Sequence, residues 1–172
     1  DLPPYPYDPD KARQLLAEAG YGNGLSLTLD VTTGSAEIGQ LIAGQLAEVG
    51  VAVTLRPLEV SIFNANWVSG QTSDMVGASW GGAGDPQAYW EALSHSEGLL
   101  SGYSNPKADE LIAVSARTLD ADERMELLYE LQEVLYDDPA AIYLWSVADI
   151  YAHSPALKNW RPHPTERLII GT

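Results

Sequence analysis

Residues 73–90 read SDMVGASWGGAGDPQAYW, an apolar run that breaks into glycines and restarts as a helix. Residues 75–80 have the unbroken apolar character of a strand covered on both faces. Gly81, Gly82 and Gly84 favour neither regular structure and predict a bare loop. Asp85 suits a helix N-cap, since its carboxylate accepts an orphan backbone N–H, and Pro86 suits the first helical position, since it has no N–H to satisfy. The unit is strand, glycine loop, helix N-terminus.

Upstream, helices and strands alternate. Residues 1–7, DLPPYPY, predict a stiff extended connector. Asp8 and Pro9 open a helix with Ala12, Leu15, Leu16 and Ala19 on one face, and Gly20 ends it before a turn at 21–24. Leu25, Leu27, Leu29 and Val31 then alternate with Ser26, Thr28, Asp30 and Thr32, the period of a half-buried strand. Ser35 can cap a second helix with the stripe Ile38, Leu41, Ile42, Leu46 and Val49, closed by Gly50. Val51, Val53 and Leu55 mark the next strand, and residues 59–69 a helix through Val60, Phe63 and Trp67, ended by Gly70. Strands separated in this way favour parallel pairing with right-handed crossovers, which collects the loops at 33–35, 58–61 and 81–85 on one sheet edge.

Downstream, a polar loop at 95–102 leads to Asn105 and Pro106, a second cap-plus-proline start. Asp120 with Glu123 opens another helix whose apolar face is Leu127, Leu128, Leu131, Val134 and Leu135. Residues 137–139, DDP, stop it. Residues 140–145 predict a strand, extended by 150–152, and the tail 155–172 has little periodicity of its own.

The 172 residues and 45% hydrophobic content fit a single α/β domain over 1–172. Nine basic against 24 acidic residues give a net charge of −15, which repels phosphate backbones and anionic membranes and excludes nucleic acid as a partner. The absence of cysteine excludes disulfides, thiolate catalysis and Cys-ligated zinc. Neither a cationic apolar leader at Asp1 nor a run of about 18 apolar residues is present, so the sequence predicts no export signal or spanning helix within this stretch.

Residues 77–81, GASWG, match the G-x-S-x-G pattern of a nucleophile elbow, which sits at a strand-to-helix turn. An elbow needs its helix directly after the serine, whereas here Gly81, Gly82, Ala83, Gly84 and Asp85 intervene before Pro86, so Ser79 reads as a small strand-end residue and a serine hydrolase as the enzymatic alternative. The loop lacks the Lys-Ser/Thr of a phosphate cradle and the spacing of a dinucleotide fingerprint. His95, His153 and His163 have no metal-site spacing, so neither a metal nor a cofactor is expected. Binding remains. Open α/β sheets receive ligands beyond the carboxyl ends of their strands, and Trp80 stands at such an end beside glycines that let a ligand approach the backbone. Trp80 can stack on a ligand or serve as an ordinary rim aromatic. Asp85 can cap the helix or meet a cationic group. Tyr89, Trp90, Tyr103 and Trp145 read as packing residues. A protein-interaction domain using the acidic face is a further alternative.

Five segments read together carry a resemblance: YDPDKARQLLAEAGYGNGLSLTLDV at 7–31, QLAEVGV at 45–51, SWGGAGDPQAYW at 79–90, GYSNPKADELI at 102–112 and ERMELLYELQEVLYDDPAAIYLW at 123–145. The chain resembles, from about residue 5 to 160, the extracytoplasmic solute-binding proteins of ABC importers, dipeptide/oligopeptide type (family 5). The resemblance covers one lobe, the second large lobe of much longer two-lobed proteins. It implies a periplasmic-binding-protein-like (type II) α/β lobe, a mixed sheet with a parallel β-α-β core and flanking helices. It further implies a non-catalytic role, a periplasmic or extracytoplasmic location, and as partners a peptide or small-molecule solute, the N-terminal lobe of the same protein and the importer's membrane subunits. Residues 1–7 would be a connector and 155–172 would return to the partner lobe. Trp80, Gly82, Ala83 and Asp85 would line the interlobe cleft. Peptide-binding members usually carry an aspartate for the peptide ammonium at the position held here by Ala83, and the loop is a residue short before Asp85. Either Asp85 substitutes for that carboxylate, or the solute is not a free-amino peptide.

Overall fold

A computed structural model describes residues 2–81, 85–100, 102–146, 148, 150–154, 156–158 and 160–163. The chain divides into two units, Asp1–Ser79 and Trp80–Thr172.

The first unit is built on a parallel sheet. Helix α1 (Pro9–Glu18) is capped as its sequence predicts, with the Lys11 N–H donating to the Asp8 carboxylate at 2.9 Å, and Gly20 leaves it at φ +91°. Strand β1 (Leu25–Thr32) is followed by a 3-10 turn over Thr33–Ser35, helix α2 (Ala36–Ala47), strand β2 (Val51–Leu58), helix α3 (Val60–Val68) and strand β3 (Met75–Val76). The sheet order is β2-β1-β3, all parallel, in register from Leu25 opposite Val51 to Thr32 opposite Leu58, with Leu29 opposite Met75. Leu29, Val31, Val51 and Phe63 are its buried apolar residues.

Four local readings need correction here. The α2 stripe is rotated: Ile38 and Leu41 are exposed, and the residue pressed on the sheet is Gly39. A Cβ there would lie 3.1 Å from Leu55 Cδ2 and 3.3 Å from Val31 Cγ1, so the missing side chain is what lets the helix approach. Ser35 makes no side-chain cap; its hydroxyl accepts from Thr32 Oγ1 at 3.0 Å. The polar side of β1 is not uniformly solvated, because Asp30 is only 1% exposed. Strand β3 is two residues long rather than six. The Thr28 N–H donates to the Asp74 carboxylate at 2.7 Å in place of a ladder partner, the Gly77 N–H donates to the Asp30 carbonyl at 2.8 Å, and Ala78 and Ser79 are exposed.

The second unit holds helices α4 (Gln87–Leu93), α5 (Pro106–Ser115) and α6 (Ala121–Asp137). Asn105 caps α5 by accepting from the N–H groups of Lys107 and Ala108, and Asp120 caps α6 by accepting from those of Asp122 and Glu123. Ala108, Leu111 and Ile112 of α5 pack on Leu128, Leu131 and Leu135 of α6, the face predicted from the helical period. Residues 140–145 do not form a strand. An extended segment gains a ladder only from a neighbour, and among the described residues none is paired with it, which leaves Ile142 and Trp145 exposed. The described sheet is therefore parallel throughout.

Candidate functional site: an aromatic relay and a clamped helix start

Two of the residues singled out in the glycine stretch, Trp80 and Asp85, meet α4. Trp80 is 41% exposed and meets the Tyr89 ring edge-on, with centroids 6.1 Å apart at 78°. Tyr89 in turn meets Trp90 at 4.9 Å and 82°, and Trp90 packs on the α5–α6 core. A short aromatic relay thus runs from buried leucines to a half-open indole, and each edge-to-face contact adds to the area term that holds the rings. Burial, together with its hydrogen-bonded neighbour Tyr143, raises the Tyr89 pKa, so its phenol stays neutral. Tyr89 and Trp90 are packing residues, as read from the sequence, and what they pack is Trp80's support.

Asp85 performs the capping role expected of it, one residue out of phase: α4 starts at Gln87, whose backbone N–H donates to Asp85 Oδ1 at 2.8 Å. The same carboxylate is gripped by Arg124 from the first turn of α6. Arg124 Nη2 donates to Oδ1 at 2.7 Å and Nη1 to Oδ2 at 3.0 Å, while Nε donates to the Ser115 carbonyl at 3.2 Å. The Arg124 guanidinium and then the Gln87 N–H hold the Asp85 carboxyl below its ordinary 3.8. Gln87 completes the join to α5, donating to the Ile112 carbonyl at 3.0 Å and accepting from the Ser115 hydroxyl at 3.1 Å.

Gly82 and Ala83 lie outside the described residues. Arg124 was not legible as part of this site, because 39 positions separate it from Asp85 and no spacing rule links them. The elbow geometry fails for Ser79, since the next helix begins at Gln87. Among the described residues no three His, Asp or Glu side chains gather as metal ligands, and no helix is long and apolar enough to cross a membrane.

The sequence model described as bacterial extracellular solute-binding proteins, family 5 Middle, matches residues 1–100. The chain belongs to this family. The glutathione-binding protein GsiB of Pectobacterium atrosepticum is 29% identical over 94% of this chain and 34% of its own length. Di/tripeptide-binding protein 2 of Pseudomonas aeruginosa is 31% identical over 77% of this chain and 27% of its own length. The periplasmic binding protein DppA of Helicobacter pylori, solved in complex with the peptide STSA, superposes with a TM-score of 0.72 at 28% identity, covering 81% of this chain and 29% of that one. The chain therefore spans about a third of the length of the curated relatives it matches. Its architecture is the α/β fold of the type II periplasmic-binding proteins, and the family and these relatives are solute-binding proteins rather than enzymes.

Proposed function

We propose that this chain is one lobe, over residues 1–172, of an ABC importer's solute-binding protein, and that it captures a peptide or related small solute in an interlobe cleft without catalysis. The observation that carries this reading is Trp80, half-exposed and backed by Tyr89 and Trp90. An indole supported by a neighbouring ring offers a flat surface for a ligand to stack on. Trp80, Gly82 and Ala83 line the ligand wall and Asp85 closes it. The partners are the other lobe of the same protein, returned to by residues 155–172, and the importer's membrane subunits, in a periplasmic or extracytoplasmic setting.

Ligand contacts made by two walls stabilise the closed arrangement over the open one, so closure follows from differential binding. One wall alone binds weakly, lacking half the contacts and the water exclusion of its opposite. Calorimetric titration of this chain and of the full-length protein with di- and tripeptides, glutathione and oligosaccharides tests the reading. Saturable binding by the full-length protein, much weaker in the lobe, is expected; equal affinity in both would overturn the two-wall account.

A further inference from the structure

We infer that Asp85 is the internal counter-ion of Arg124 and not a receptor for a ligand's cation, so that the wall carrying Trp80 receives a flat, uncharged part of the solute. This rests on the proposed cleft and names what that wall recognises.

Within residues 75–90 the sequence carries a single acid, Asp85. Its Oδ1 already accepts from the Gln87 N–H and from Arg124 Nη2, and its Oδ2 from Arg124 Nη1. A carboxylate keeps spare lone pairs in such a pair. Any ammonium reaching them, however, stands close to the guanidinium, whose repulsion offsets the attraction of the carboxylate. Arg124 cannot easily swing aside, because its Nε is tied to the Ser115 carbonyl on α5. The charge of Asp85 is therefore matched within the protein, by a guanidinium bonded to both its oxygens.

Trp80 presents its indole, and Tyr89 remains a protonated phenol engaged with Tyr143. A single exposed ring is by itself a weak cation site, whereas it suits the apolar face of a sugar ring or of a peptide segment whose amine is blocked or lies elsewhere. The clamp joins α4, α5 and α6 through Asp85, Gln87, Ser115 and Arg124.

The test uses the full-length protein, with trialanine and N-acetyl-trialanine as probes and the Asp85 carboxyl followed by 13C NMR. Arg124→Gln should move the Asp85 titration upward and raise the preference for trialanine over its acetylated form about tenfold. Adding Asp85→Asn should return that preference to its starting value. Arg124→Lys, which keeps a cation beside Asp85, should leave the preference near wild type and guards against misfolding of the Gln variant. An Asp85 titration that Arg124→Gln leaves in place overturns the inference, whether or not either peptide binds. So does a free-amine preference already present in the wild type and abolished by Asp85→Asn alone. Failure of the cleft itself reads out separately, as unchanged affinity for every probe in Trp80→Ala.

Discussion

Asp30 and Arg56 stand directly opposite each other in the β1–β2 register and join through two 2.6 Å bonds, Arg56 Nε to Oδ1 and Nη2 to Oδ2. The Ser73 N–H adds a third donor to the same carboxylate at 2.9 Å. One buried side chain thus ties the central strand to β2 and to the segment that leads into β3. Burial alone would push the Asp30 carboxyl up, but the bonds from Arg56 and Ser73 outweigh it and hold the pKa below 3.8.

Asp30→Asn should therefore destabilise by roughly 2 kcal/mol, the scale of hydrogen bonds to a charged group, as read from urea denaturation. Arg56→Met should destabilise as well, because it strands a buried charge. The pH dependence has a fixed sign: a depressed carboxyl contributes stability above its unfolded pKa and loses it as pH falls through the folded value. Stability should be level above about pH 5 and fall progressively below pH 3.8. Asp30→Asn should flatten that fall.

Two glycines of α2 should respond oppositely to alanine. At Gly44 a Cβ meets nothing within 4 Å, so Gly44→Ala should stabilise by about 0.5–1 kcal/mol through helix propensity. At Gly39 the same gain is opposed by contacts at 3.1 and 3.3 Å with Leu55 and Val31, both held in the sheet. Overpacking at about 1–3 kcal/mol is the larger effect, so Gly39→Ala should be net destabilising. Thermal melts of the two variants side by side decide it.

In the second unit Leu131, with no exposure, should lose about 2–5 kcal/mol on truncation to alanine. Asn105 combines two roles, since its carbonyl oxygen caps α5 while its amide donates to Asp138 at 2.8 Å. Asn105→Ala should cost about 1 kcal/mol for the cap alone. Asn105→Asp keeps the cap but sets a carboxylate against Asp138, so it should not restore wild-type stability; chemical denaturation of the three proteins side by side would show the difference.

Trp80→Ala in the full-length protein should weaken solute binding at least tenfold with little change in melting temperature, because a ring 41% exposed contributes less to the core than to a surface contact. Calorimetry with far-UV circular dichroism as the folding control checks both halves of that statement.

What the sequence by itself determined is the local grammar. Capping residues with proline at Asp8 and Asn105, the helix-ending glycines and the strict alternation from Leu25 to Thr32 act over a few residues, so helix starts, strand faces and the parallel β1–β2 pair were legible. The five resembling segments placed the chain in its family. The tertiary structure decided what depends on distant partners. Gly39 faces the sheet because Leu55 and Val31 leave no room for a side chain, a contact that a stripe of large residues cannot announce. Residues 140–145 have the pattern of a buried strand, but strandedness belongs to a pair of segments rather than to one. Arg124 bonds both oxygens of Asp85 from 39 residues away, a pairing that no local spacing announces.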